Sequence, residues 1–218
     1  MRLSLFAKNA LTLVVLVSMS GCTQLVLGLG LDRPPPPAMR WIPAQERGTT
    51  WRNGSQFVAF DSLGLRVEAA FEEQRSDRLL VRVRLVNDSS PTFDVNPAKF
   101  LCISGIRDQA GVEEWTDTAS DPAEELRKVR EWEQRLRQSG AKTVEDQTDL
   151  EMSLSNAVEG NKFWTEEALR RNTLAQGRTA EGIVVFPLQR KARDIQLAIP
   201  VSGRVVGLRF EQVPVKTK

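Results

Sequence analysis

Apolar and polar residues alternate along much of this chain from about residue 57 onward, and their spacing predicts strands. In 65–71 and 79–85 every second residue is apolar, a period of two that is typical of strands with one buried face. The polar pair Ser76-Asp77 between these runs predicts an antiparallel hairpin. Further strands are predicted at 92–95, 99–104, 181–187, 195–199 and 206–211. Of these, 181–187 is apolar on both faces, which is typical of a central strand.

The pattern changes to a helical one between about 121 and 171. Asp121 and Pro122 have the residue types of an N-cap and a first helical position. The predicted helices cover 122–139, 144–158 and 166–171. Strands precede and follow this segment, so we interpret it as a helical insertion into a β-sandwich or β-barrel.

The N-terminus has the layout of a secretory leader. Arg2 and Lys8 precede an apolar run at 10–17, and small residues then lead up to Cys22. Small residues directly before a cysteine resemble the lipobox of bacterial lipoproteins. The resemblance implies cleavage between Gly21 and Cys22 and attachment of a lipid to the Cys22 sulfur, which would hold the protein on a membrane.

The residues after Cys22 predict a tether and suggest a location. Thr23 follows the cysteine, and by resemblance to lipoproteins of bacteria with two membranes this implies the outer membrane, facing the periplasm. The prolines at 34–37 favour a stiff polyproline spacer, so we interpret 22–50 as a tether. The alternative is an uncleaved membrane span over 10–31, which has about the length a span requires.

Charge and cysteine content narrow the functional classes. The chain has 30 Lys and Arg, 28 Asp and Glu, and no His. Removal of 1–21 would take away Arg2 and Lys8 and leave the charges balanced, so net charge gives no reason to expect a nucleic-acid partner. With Cys22 lipidated, Cys102 would remain as a free thiol, and its apolar neighbours predict that it is buried.

Four short segments resemble immunoglobulin-like domains of bacterial envelope lipoproteins. They are 83–87, 96–100, 172–177 and 182–187. The resemblance covers about 57–104 and 172–212. It implies a mainly β, immunoglobulin-like antiparallel sandwich, which we place at 51–218 with the insertion at about 121–171. It implies no catalytic residue.

The residue types argue against catalysis. Without histidine there is no Ser-His or Cys-His pair and no imidazole metal ligand, and no Gly-rich phosphate loop is present. We therefore expect no cofactor, metal or catalytic residue. The leading hypothesis is a non-enzymatic interaction or structural module that contacts an envelope protein through the helical insertion. Phe163 and Trp164, between predicted helices, are the candidate exposed contacts, whereas Trp132 is expected to pack onto the sandwich.

Two alternatives stay open for the function. One is a periplasmic small-ligand carrier or sensor with a pocket between insertion and sheet, lined by Trp164 or Trp132. The other, ranked last, is a hydrolase acting on envelope polymers. Arg82 and Arg84 are predicted to pair with acidic residues of the neighbouring strand, the alternative for them being an anion-binding patch.

Overall fold

The computed structural model describes residues 39–44, 48–75, 77–108, 111–140, 143–188 and 192–214. In this part of the chain, twelve strands form two antiparallel sheets. Sheet I contains β1 (Met39–Pro43), β6 (Phe93–Val95), β7 (Leu101–Asp108), β8 (Gly111–Thr118), β9 (Asn172–Leu174), β11 (Asp194–Val201) and β12 (Arg204–Pro214). Sheet II contains β2 (Thr49–Arg52), β3 (Ser55–Ser62), β4 (Leu65–Arg75), β5 (Arg78–Asn87) and β10 (Thr179–Pro187).

The sheets pack face to face, which confirms the predicted mainly β sandwich with a helical insertion. Sheet II has the order β10-β5-β4-β3-β2, and sheet I has the order β1-β12-β11-β6-β9, with β7 paired to β11 and β8. The predicted hairpin is β4–β5, in which Val67 pairs with Leu85 and the register shifts between Phe71 and Glu73. The predicted strand 181–187 is not central, because β10 lies at one end of sheet II.

Alternate residues of the strands fill the space between the sheets. Phe186 and Leu79 from sheet II and Phe210 and Leu197 from sheet I are each at most 1% exposed. Full burial of such a side chain stabilises the fold by about 1.5–3 kcal/mol. The period-two pattern therefore identified the inward faces correctly.

The sandwich begins earlier than the sequence pattern predicts. Residues 39–43, interpreted above as part of the tether, form β1 and pair with β12. The physical reason is Trp41, whose ring stacks on Phe71 at 5.3 Å, while Phe71 meets Phe210 edge-on at 4.7 Å. Trp41 thus joins this short strand to the core.

The insertion contains two helices, α1 (Pro122–Ser139) and α2 (Val144–Lys162). Both predicted starts are confirmed. The α1 N-cap accepts a bond from Ala123 N, and Thr143 forms a capping box with Asp146. Neither helix is apolar enough along its length to cross a bilayer.

The end of α2 differs from the prediction. Gly160 does not stop the helix but lies within it, where a Cβ atom would lie 3.5 Å from a Val129 methyl carbon of α1. That distance is an ordinary van der Waals contact, so Gly160 lies where α2 packs against α1. The helix continues into a π-helical turn, Phe163–Glu167. The helical turn predicted at 166–171 is absent, because the backbone becomes extended at Ala168.

Candidate functional site

The most distinctive feature of the sandwich is the pair of helices α1 and α2, which we call the helical arm. Within the described residues, α1 buries no side chain and α2 buries only Ala157. The arm therefore exposes most of its surface to solvent. Ion pairs along α1, such as Arg127–Glu131 at 2.6 Å and Lys128–Glu124 at 2.9 Å, support the helix where tertiary burial does not.

The chain enters and leaves the arm at the edge of sheet II. Before α1, Ser120 donates its backbone N–H to the Val185 carbonyl at 2.9 Å. After the π-helical turn, Leu169 donates to the Ile183 carbonyl, also at 2.9 Å. Both acceptors belong to β10, so its outer edge is paired with the two ends of the insertion.

A second apolar core fixes the base of the arm to the outer face of sheet II. Leu80, Ile183 and Val185 point outward from β5 and β10, and Trp164 and Ala168 cover them. Leu126, Val129 and Phe163 pack around this cluster. The apolar residues on both faces of β10 thus have two different partners, the sandwich core on one side and the arm on the other.

The two tryptophans of the insertion have the opposite roles to those predicted. Trp164 is 5% exposed and meets Phe163 edge-on at 4.9 Å, so the expectation that it is an exposed loop residue is wrong. Trp132, expected to pack onto the sandwich, is 36% exposed. The burial of Trp164 follows from the π-helical turn, which extends α2 onto the sheet and brings Trp164 under the arm. Contact of Phe163 and Trp164 with a partner stays a prediction.

An open cleft of about 590 Å³ lies between the arm and sheet II. Trp132 and Trp164 both line it, as the small-ligand alternative predicts. Its other apolar lining residues are Leu80, Val129, Phe163 and Val185. Its charged lining residues are Arg78, Glu159, Lys162 and Glu167. The cleft thus offers both apolar and charged contacts.

The outer face of sheet II also carries a network of ion pairs. Glu68 on β4 is only 1% exposed. Its carboxylate oxygens lie 2.8, 3.1 and 3.3 Å from guanidinium nitrogens of Arg66, Arg84 and Arg52. Burial raises the pKa of Glu68, but the hydrogen bond from Arg84 and the nearby arginine charges outweigh it and hold that pKa below its ordinary value.

The predicted cross-strand pairing is therefore confirmed. Arg84 lies opposite Glu68 in the β4–β5 register, and Arg82 pairs with Glu72. Both arginines also approach Glu181 of β10, at 3.6 and 3.7 Å. Because carboxylates already neutralise these guanidinium groups, Arg82 and Arg84 offer no free positive charge to an external anion, which argues against the anion-binding alternative.

Cys102 lies in the sandwich core, as predicted. It is fully buried beside Ser104, with the Sγ and Oγ atoms 3.8 Å apart. Burial raises the pKa of its thiol to about 11, so it is a poor nucleophile near neutral pH. Among the residues that the structure describes, no group of acidic or cysteine side chains is arranged to hold a metal ion.

The residues of the predicted anchor, Gly21 and Cys22, lie outside the described residues, as do the prolines at 34–37. No known protein family matches the chain, and no curated protein is significantly similar to it.

Proposed function

We propose that this protein is a lipid-anchored cell-envelope lipoprotein that acts as a non-enzymatic interaction module, with the helical arm as its partner-binding surface. The observation that carries the proposal is the exposure of the arm. Two capped helices of 18 and 19 residues extend from a sandwich whose own core lies elsewhere.

The composition of the arm supports a role in recognition. Helix α1 carries residues of both charges, whereas the first half of α2 carries Glu145, Asp146, Asp149 and Glu151 with no basic residue. Such a charged surface steers partners of complementary charge and raises their association rate. The arm therefore suits a protein partner with a basic surface.

The anchor is proposed from the sequence. Small residues precede Cys22 at the end of an apolar leader, and lipidation there would place the sandwich at a membrane surface. The outer membrane, facing the periplasm, is the proposed location. Two or three acyl chains on one residue would make attachment effectively permanent, because one chain alone binds only marginally.

The arm is tested by trimming it. Residues 134–153 are replaced by a short Gly-Ser turn, which leaves Trp164 and the base of the arm in place. Photo-crosslinkers at Arg130 in the remaining part, and at Arg204 on β12 as a control, are compared in intact cells. We expect one specific adduct from Arg130 that disappears on trimming, with an unchanged melting temperature. An adduct that survives trimming would contradict the proposal.

The anchor is tested by metabolic labelling with a fatty acid. The chain offers a matched pair of variants, Cys22→Ala and Cys102→Ala. We expect the first to abolish labelling and the second to retain it, because Cys102 is buried in the core. Equal labelling of wild type and Cys22→Ala would contradict lipidation at that cysteine.

The second candidate function is a small-ligand carrier, which the cleft between arm and sheet favours. Its volume of about 590 Å³ lies within the range of pockets for small molecules. Native mass spectrometry of protein purified from the envelope tests this function. A carrier would retain a bound molecule that is lost in Trp132→Ala, whereas a ligand-free wild type would contradict it.

A further inference from the structure

Trp164 also lines a second cavity, at the point where the base of the arm meets the segment before β7. This cavity has a volume of about 280 Å³. Its apolar lining comes from Pro97, Pro122, Ala123, Leu126 and Trp164. Because Pro97 and Trp164 are buried, these two residues form a floor within the fold.

The size of the cavity limits what it can hold. Pockets for drug-sized molecules span about 300–1,000 Å³, and this cavity lies just below that range. It is large enough for one apolar group such as a leucine or phenylalanine side chain. An apolar lining favours such a group over a sugar or a nucleotide.

The charges around the cavity favour an anion. Arg170, Arg171, Asn96 and Asp121 complete its lining. The Asp121 carboxylate already accepts the backbone N–H of Ala123 as the α1 cap. Arg170 donates to the Thr165 carbonyl, which holds its side chain beside the cavity. Arg171 makes no ion pair within the described part of the chain, so its charge is free for a ligand.

We propose that this cavity binds a carboxylate that carries one apolar group, with the apolar group against Trp164 and Leu126 and the carboxylate on Arg171. Guanidinium–carboxylate hydrogen bonds are charge-assisted and directional, which suits such recognition. This chemistry has two sources, the C-terminal residue of a peptide and a free small acid. The site requires only the base of the arm and therefore goes beyond the proposed function.

The test uses the full chain in detergent, labelled with ¹⁵N at the tryptophan indoles. Four probes are titrated: N-acetyl-leucine, N-acetyl-glycyl-glycyl-leucine, and the amide of each. We expect the acids to shift the Trp164 indole resonance saturably and to bind at least about tenfold more tightly than the amides, because a charge-assisted hydrogen bond contributes about that much. Tighter binding of the peptide indicates a protein C-terminus as the source, and tighter binding of N-acetyl-leucine indicates a free acid.

Arg171→Gln provides the decisive variant, and Arg178→Gln, an exposed arginine outside the cavity, is its control. We expect the first to remove the preference for acid over amide and the second to keep it. Equal binding of acids and amides to wild type, an unchanged preference in Arg171→Gln, or no shift of Trp164 with any probe would overturn the proposal. Trimming 134–153 leaves this cavity intact, so the outcome is independent of the partner test on the arm.

Discussion

The backbone of Leu169 passes so close to Gly182 that a Cβ atom on the glycine would lie 2.5 Å from the Leu169 nitrogen. This contact lets Leu169 donate to the Ile183 carbonyl of β10. The chain thereby returns from the helical arm directly onto the edge of sheet II. The attachment of the arm to β10 therefore requires that Gly182 has no side chain.

Gly182→Ala should therefore destabilise the protein by about 1–3 kcal/mol, because the added methyl group meets backbone atoms that cannot rotate away. Urea denaturation measures the free energy of unfolding. Hydrogen exchange at the Leu169 amide should increase as well. Gly207→Ala is the matched control. There the added Cβ would lie 2.9 Å from Nε2 of Gln196, the flexible end of a side chain, and we expect a change within about 0.5 kcal/mol. Equal effects of both variants would contradict the packing argument.

The two tryptophans of the insertion should differ strongly in their contribution to stability. Trp164→Ala should cost about 3–5 kcal/mol, because it leaves a cavity above Leu80 and Val185. Trp132→Ala should cost at most about 1 kcal/mol, because the ring is partly exposed in the cleft. Equilibrium unfolding of both variants measures the difference. A larger loss at Trp132 would mean that the arm packs in another way.

Glu68 should make stability depend on pH. Its folded pKa lies below its unfolded value near 4.5. It therefore contributes stability that is fully present above that unfolded pKa and is lost as the pH falls through the folded pKa. Glu68→Gln should lower stability at pH 7 by about 1–3 kcal/mol, since its arginine partners retain some contact with water. The variant should also lose less stability than wild type on acidification.

Glu72→Gln serves as the comparison for Glu68→Gln. Glu72 points from the same strand to the same face, but its side chain is 28% exposed and pairs with Arg82. Its loss should cost at most about 1 kcal/mol. Denaturation curves between pH 3 and 7 measure how stability depends on pH. Identical pH dependence in wild type and Glu68→Gln would contradict the proposed contribution of Glu68.

Leu63→Asn should stabilise the sandwich by about 0.5–1 kcal/mol, because a non-glycine residue in the left-handed region is strained and Asn-Gly is the preferred pair in such a turn. Leu63 has φ +50° and is 71% exposed, so the substitution removes little packing. Asn53 has φ +49° in the equivalent position of another hairpin. The reverse substitution Asn53→Leu should therefore destabilise. The melting temperatures of the two variants should shift in opposite directions. A lower melting temperature for Leu63→Asn would contradict backbone strain at Leu63.

Local pattern was sufficient to predict much of this fold. The alternation in 65–71 and 79–85 depends on residues two apart, and it identified both strands of β4–β5 and their inward faces. Asp121 and Pro122 identified the start of α1, since capping involves neighbours within one turn. The buried state of Cys102 followed from its apolar neighbours. The charge pairs of β4 and β5 followed from the hairpin register.

The tertiary structure decided what these local signals leave open. Residues 39–43 join sheet I by pairing with β12, and Trp41 of this segment packs on Phe71 of sheet II; both partners are distant in sequence. An apolar run such as 181–187 has the same pattern in a central strand as in an edge strand covered by helices, so only packing placed β10 at the edge. Trp164 is buried rather than exposed because the π-helical turn after α2 brings the chain onto sheet II. These features depend on contacts between distant residues, and the period of a short segment carries no information about them.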